Sequence, residues 1–337
     1  MSGEYTKKPK FSYSKLNTYD SCGWKYYLTY KLNKFIFSDN LASELGTLLH
    51  KVEQDMFNTL KKGEKIDYDK IKDFFYNANI PKRDKYDTDG GIYGINILKE
   101  KYREDYYETD NMGQSYDTKI TKYLETGIYR LEDFLNDNHN IVPFEAEKFF
   151  SFSYNGYTLS GYIDRIFYDK ERDKYLIEDI KTKGKPFKDD ELTTPLQLVI
   201  YSLALNECLD INLDQIECFY DLPFLNLKQP AGTPGFVKRG KNKLDKIFSG
   251  INDENWEPHP SPLCHFCSYC VTNEEAPEEG KLLCPYFCKW TRENRTFATE
   301  NKWKGLDSHE KIMEKFLAKY GDIKVEKTPD DEFDFDF

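Results

Sequence analysis

Tyr157-Thr-Leu-Ser-Gly161-Tyr162-Ile163-Asp164-Arg165-Ile-Phe-Tyr168, a charged loop over 169–174, and Tyr175-Leu176-Ile177-Glu178-Asp179-Ile180-Lys181 form the stretch that decides the fold. Both flanks alternate with the two-residue period of a half-buried strand. The loop centre falls between Glu171 and Arg172, so a symmetric hairpin sets Asp164 opposite Asp179. Directly opposed residues have Cβ atoms about 5 Å apart, and two ionised carboxylates at that range repel. A divalent cation is the natural compensation. The same alternation puts Tyr175, Ile177, Asp179 and Lys181 on one face, with the Lys181 ammonium beside the carboxylates, placed to polarise a phosphate or orient a water. The backbone carbonyl of Ile180 offers a further oxygen, and hard oxygen ligands suit Mg²⁺ or Mn²⁺. Glu178 points to the opposite face and is the second choice as a ligand. Solvated surface charge would explain a lone Asp-x-Lys, but the apolar neighbours Tyr162, Ile163, Leu176 and Ile177 argue for a buried hairpin.

Working outward, residues 148–154 read as a preceding strand, joined to the hairpin by Asn155-Gly156, a strong two-residue turn signal. Downstream, 195–208 reads as a helix with Thr194 as N-cap and Pro195 at the first helical position. Gln197 and Tyr201 are i, i+4 neighbours on it. Thr194 to Gln197 also has capping-box spacing, and Tyr201 equally suits a core position. Residues 215–221 suggest another strand and 241–250 a short helix. Upstream, Leu41, Leu45, Leu48, Leu49, Val52 and Met56 follow the 3.6-residue period. At 100° per residue His50 falls about 150° from the centre of that stripe, so it is a surface or ligand histidine and not a core one. Gly46, one turn earlier on the same side, leaves room beside it. Helices over 66–77, 92–108 and 115–138 make a helical insert of roughly 62–140.

The expected fold is therefore α/β, with a mixed central sheet flanked by helices, a helical insert and a Cys-rich C-terminal module. The expected organisation is an N-terminal segment 1–40, a core 41–255, a Cys-rich module 256–290, a helical segment 291–325 and an acidic tail 326–337. At 337 residues a sizeable core is available, and 26 Tyr and 24 Phe supply much of its area. No apolar run of membrane-spanning length appears and the first ten residues lack an apolar leader, so a soluble, cytoplasmic chain with no membrane partner is expected. The richness in Lys, Asn, Tyr and Asp fits the AT-rich genome of a bacteriophage or low-GC bacterium. Net charge is −11, against the basic balance usual in nucleic-acid binders. Five acidic residues of that total sit in the last eight positions, so composition neither supports nor excludes a nucleic-acid partner. No GxxxxGK[ST] loop is present.

The motifs themselves carry a resemblance. Gly161-Tyr162-Ile163-Asp164, then Glu178-Asp179-Ile180-Lys181-Thr182, with Gly46-Thr-Leu-Leu-His50 upstream and Gln197-Leu-Val-Ile-Tyr201 downstream, occur in the order and types of the RecB-like branch of the PD-(D/E)XK nuclease superfamily. The resemblance spans residues 46 to 201. It implies phosphodiester hydrolysis at a centre of Asp164, Asp179 and Lys181, with His50 as a further metal ligand. It also implies that Gln197 and Tyr201 contact the active site or DNA.

The cysteines add a second module. Cys264, Cys267 and Cys270, then Cys284 and Cys288, have metal-ligand spacing. A local zinc site of Cys264, Cys267, Cys284 and Cys288 is one reading; a [4Fe–4S] cluster drawing on a distant thiolate is the other. Ser21-Cys22-Gly23-Trp24-Lys25-Tyr26-Tyr27 resembles the N-terminal cysteine segment of AddB-type and CRISPR-adaptation nucleases. In those relatives one early cysteine joins three late ones around an iron–sulfur cluster. That implies Cys22, Cys264, Cys267 and Cys284 as ligands, with Cys270 as the alternative to Cys284. Two departures stand out: Gly23 replaces the usual proline, and the C-terminal trio is interrupted. Cys208 and Cys218 suit ordinary buried positions.

The tail Asp330-Asp-Glu-Phe-Asp-Phe-Asp-Phe337 resembles the acidic, Phe-terminated tails of single-stranded-DNA-binding proteins, and equally suits a solvating tail. The reading that follows is a DNA exonuclease in recombination, repair or replication, with a helicase or a single-stranded-DNA-binding or replication protein as partner. The alternative is an accessory protein acting through DNA binding and tail-driven recruitment.

Overall fold

The computed structural model describes residues 9–36, 40–81, 91–110, 113–259, 264, 266–269 and 284. The chain opens with β1 (Lys10–Phe11), α1 (Tyr13–Ser21), α2 (Gly23–Tyr26), α3 (Leu41–Lys61) and α4 (Tyr68–Asn77). Then come β2 (Asn79–Ile80), β3 (Ile92–Tyr93), α5 (Ile95–Lys101), α6 (Arg103–Tyr107), α7 (Tyr116–Glu125) and α8 (Arg130–Asp137). The strands β4 (Ile141–Tyr154), β5 (Tyr157–Asp169) and β6 (Lys174–Ile180) follow, then α9 (Asp189–Thr193) and α10 (Leu196–Leu209). β7 (Ile216–Leu222), β8 (Leu227–Ala231) and α11 (Phe236–Asn252) complete the order. Over the described residues the chain divides into two compact units: 9–13 with 40–243, and 14–36 with 244–259, 264, 266–269 and 284. Among the described residues no helix is long and apolar enough to cross a membrane.

The first unit holds a six-stranded mixed sheet, the expected α/β architecture with helices on its flanks. β4 pairs antiparallel along the whole of β5, while β6 and the short parallel β1 share the other edge of β5. β6 pairs parallel with β7, and β7 antiparallel with β8. The predicted hairpin register is the observed one: Tyr168 faces Tyr175 and Arg165 faces Glu178.

Two helices sandwich these strands. Cys218, opposite Ile177, lies 3.4 Å from Ser202 of α10, while Phe167, opposite Leu176, packs its ring on Phe57 of α3 at 5.1 Å. Neighbouring strand residues point to opposite faces, so α10 covers the Ile177 and Asp179 face and α3 the Leu176 and Glu178 face. α3 buries Leu45, Leu48, Leu49, Val52 and Met56 completely, as its periodicity predicts. Each such side chain contributes about 1.5–3 kcal/mol. α10 is apolar all round, and every residue from Leu196 to Leu205 is buried, the mark of a helix inside a fold.

Local expectations are corrected at Cys208, which is exposed and not buried, and at three helices. The 92–108 stretch begins as β3 and its helix breaks at Tyr102, and 115–138 divides around a 3₁₀ turn at Gly127–Tyr129. A Cβ at Gly127 would lie 2.8 Å from the Tyr123 ring, so that bend needs glycine. Thr194 is not the N-cap of α10: Pro195 is, without a side-chain cap, and the Thr194 hydroxyl accepts from Arg239 Nε at 3.0 Å.

The second unit, over its described residues, joins α1 and α2 to the end of α11 and the segment after it. Trp256 stacks on Tyr26 and Tyr27, both at 5.7 Å, and meets Tyr19 edge-on at 6.2 Å. The Gly23 N–H donates to Glu257 O at 3.1 Å, and a Cβ at Gly23 would approach that oxygen to 2.8 Å. This accounts for glycine where the resemblance has proline, which cannot donate. Cys22 Sγ accepts from the backbone N–H groups of Lys25 and His259, each at 3.5 Å. Thr29 and Tyr269 share a hydroxyl contact at 2.9 Å, and Tyr269 donates to Lys34 O at 2.6 Å. The N-terminal cysteine segment and the start of the cysteine module are therefore neighbours. Cys270, Cys288, the 291–325 helical segment and the acidic tail lie outside the described residues.

Candidate active site

The ladder between β5 and β6 ends at the Arg165–Glu178 pair, and Asp164 and Asp179 come next in register. Here the strands part. The Ile180 N–H donates to Asp164 Oδ2 at 2.7 Å, so a side chain takes the place of a backbone acceptor. His50 reaches the same point from α3, with Nε2 3.1 Å from Ile180 O and Nδ1 3.6 Å from Asp164 Oδ2. Gly46 makes this approach open: the nearest atom to a Cβ there is Thr182 Oγ1 at 3.7 Å. Lys181 Nζ stands 2.7 Å from Asp179 Oδ2, and the Lys181 N–H donates to Asp221 O at 2.8 Å. The structure thus gathers His50, Asp164, Asp179, the Ile180 carbonyl and Lys181 at one parted strand end.

Asp179 is fully buried, and its Oδ1 has no hydrogen-bond partner among the described residues. Burial pushes its pKa up to about 6, with Asp164 adding to the rise and Lys181 opposing it. Burial works against the charge of Lys181, yet Asp179 and Asp164 outweigh it and hold the ammonium pKa above its ordinary value. Tyr201 is raised well above the phenol range by burial and then by Asp164 and Asp179. Gln197 Nε2 donates to Tyr201 Oη at 2.8 Å, so Gln197 supports that tyrosine instead of closing a capping box. Gly161 has its own reason: a Cβ there would press on the Phe150 ring at 3.1 Å, and Phe150 packs edge-on against Tyr201 at 5.9 Å.

Glu147 joins the site without having been singled out in the sequence. It sits opposite Asp164 in the β4–β5 register, between the Ala146–Arg165 and Lys148–Ile163 pairs, with φ of 47°. A non-glycine residue in the left-handed region is strained, on the order of 1–3 kcal/mol, and such strain collects at functional sites. His50, Glu147 and Asp164 each offer a ligand atom within 4.8 Å of the other two. The signal was available: counting back from the Asn155-Gly156 turn pairs Glu147 with Asp164.

Glu178, the second choice as a ligand, belongs elsewhere. It is buried on the α3 face with Arg165 at 3.5 Å and in contact with Lys228. Arg165 also binds Glu53 at 3.0 Å and pairs with Asp221. Arg130 binds Glu53 at 2.8 Å and Asp221 through Nε at 3.2 Å, and Tyr123 donates to Glu53 at 2.8 Å. Burial alone would raise Asp221, but Arg130 and Arg165 bring it down to about 2.

Parted strands, acids on the sheet and a lysine two residues after the second acid make up the candidate centre. The family model for the PD-(D/E)XK nuclease superfamily matches residues 10–271, and the chain belongs to that superfamily. It is 30% identical over 294 residues to a subunit of the ATP-dependent helicase/deoxyribonuclease of Carboxydothermus hydrogenoformans, covering 81% of this chain and 24% of that protein. The corresponding protein of Clostridium acetobutylicum is 29% identical over 70% of this chain and 20% of its own length. The chain thus spans a quarter or less of these relatives. A solved structure of a candidate exonuclease from Eubacterium rectale aligns over 82% of this chain and 94% of its own, at 12% identity and a TM-score of 0.40.

Proposed function

We propose that this chain is a metal-dependent DNA nuclease that hydrolyses phosphodiester bonds at DNA ends, an exonuclease of recombination, repair or replication. The observation that carries the reading is the convergence of His50, Asp164, Asp179, the Ile180 carbonyl and Lys181 where β5 and β6 part. This donor set, with an orphaned buried oxygen on Asp179, fits Mg²⁺ or Mn²⁺. His50, Asp164, Asp179, Ile180 O and Glu147 are the residues that would hold it. A bound divalent ion supplies charge for the phosphate and lowers the pKa of a water. Lys181 orients that water or neutralises the phosphate oxygen as charge develops. Gln197 and Tyr201 brace the α10 side of the site. Exonuclease action rests on analogy within the superfamily. The helicase/deoxyribonuclease relatives favour a helicase as partner. Cys22, Cys264, Cys267 and Cys284 are proposed to hold a [4Fe–4S] cluster, supported by the two N–H donors at Cys22 Sγ. Brown colour with iron and sulfide content checks this against zinc.

The test of the nuclease reading is hydrolysis of end-labelled single- and double-stranded DNA with Mg²⁺ or Mn²⁺. Asp179→Ala or Lys181→Ala should lower the rate about a hundred- to a thousandfold while the circular dichroism spectrum stays that of the wild type. Undiminished metal-dependent cleavage by either variant overturns the assignment.

A further inference from the structure

Phe149 and Tyr162 face each other across β4 and β5, and both are exposed, at 51% and 42%. Their rings are in contact, with centroids 5.3 Å apart. Each stands two residues along its strand from an acid of the candidate site: Phe149 from Glu147, and Tyr162 from Asp164. Two residues of strand measure about 6.7 Å. That is comparable to the step between successive phosphates of an extended single strand. Lys148, between Glu147 and Phe149, adds positive charge to this stretch.

The two half-exposed rings together offer water an apolar face. As a cross-strand pair they stabilise the hairpin by only about 0.2–1 kcal/mol, for which an exposed aliphatic pair would serve as well. What aromatic rings add is a flat face on which a nucleobase stacks without regard to its identity. Inside a duplex both faces of a base are taken by its neighbours, so only an unpaired nucleotide can use such a platform. The geometry points to Phe149 and Tyr162 as the stacking platform for the unpaired base adjoining the cleaved phosphate. The substrate is therefore single-stranded DNA or a frayed end. This deepens the nuclease reading and rests on it for the position of the cleaved phosphate.

Binding and cleavage separate the two. With the full chain in EDTA, fluorescence anisotropy reads the affinity for a labelled single-stranded oligonucleotide and for versions carrying one abasic nucleotide at successive positions. One abasic position should weaken wild-type binding about tenfold. The Phe149→Ala/Tyr162→Ala variant should lose about the same on the intact strand and nothing more on that abasic one. Blunt duplex binding should be equal in both proteins. Tyr107→Ala, which removes an aromatic ring that is 53% exposed on α6, should change nothing. A purely structural pair would leave the abasic effect equal in both proteins, and that result, or an unchanged affinity in the double variant, overturns the proposal. Wild-type protein that binds as described but cleaves no DNA with Mg²⁺ or Mn²⁺ would instead sink the nuclease reading and leave the platform standing.

Discussion

Glu178 and Asp179 are neighbours in β6, and the carboxylate groups they join on the two faces of the sheet are built on opposite terms. On the α3 face Glu53, Glu178 and Asp221 are held by Arg130, Arg165 and Lys228 in a buried network. On the α10 face Asp179 is equally buried and shares a single lysine, Lys181, with a second acid, Asp164. The pKa values record the difference: Asp221 is brought down to about 2, whereas Asp179 is pushed up to about 6. The first arrangement sets three carboxylates against three cations. The second sets Asp164 and Asp179 against one lysine, an excess of negative charge that suits the proposed metal site.

The largest way to break this contrast is to open the balanced side. Arg165→Ala leaves Glu53, Glu178 and Asp221 short of a cation in a dry interior, at a cost of about 3–5 kcal/mol. Urea denaturation should show a fall of that order in unfolding free energy, with activity lost alongside the fold. A loss under about 1 kcal/mol would mean that water reaches the network.

Removing the charge from the acid-rich side should have the reverse sign. A carboxyl whose pKa rises on folding binds its proton more tightly in the native state, so native stability falls as pH climbs from about 4 to about 6 and stays lower above that. From 3.8 to about 6 the shift corresponds to roughly 3 kcal/mol as an upper figure. Without metal, Asp179→Asn should therefore raise Tm at pH 8 and leave it nearly unchanged at pH 4. In the wild type Mn²⁺ should raise Tm more at pH 8 than at pH 5, and the variant should lose most of that response. An apo variant less stable than the wild type at pH 8 would contradict this account.

Glu147→Gln makes the finest cut. It keeps the side-chain shape and removes one anionic ligand, so half-saturation by Mn²⁺ should rise about 10- to 100-fold, as metal sites show for a lost supporting group. Activity at saturating metal should recover much of its wild-type value. Titrating cleavage rate against Mn²⁺ reads both.

The sequence disclosed the acid-rich side far better than the balanced one. The Asp164–Asp179 register followed from strand alternation and a symmetric loop, because a two-residue period leaves only one face for each side chain. His50 stood out because it breaks the apolar stripe of a strongly periodic helix. Glu147 escaped because the predicted strand begins at Lys148, one residue too late, and a left-handed backbone leaves no mark in composition. Thr194 has the look of a cap in sequence, but Arg239, 45 residues away, takes its hydroxyl. The buried network was out of reach for the same reason: Arg130 and Asp221 are 91 residues apart, and local pattern does not encode such meetings.

The adjacency of Glu178 and Asp179 also matters to anyone aligning this chain with distant relatives. An alignment slipped by one position here still matches acid to acid and loses almost nothing in score. It would nevertheless exchange a residue of the proposed reactive centre for half of a structural ion pair. Only the distance to Lys181, two residues from one acid and three from the other, tells the two apart.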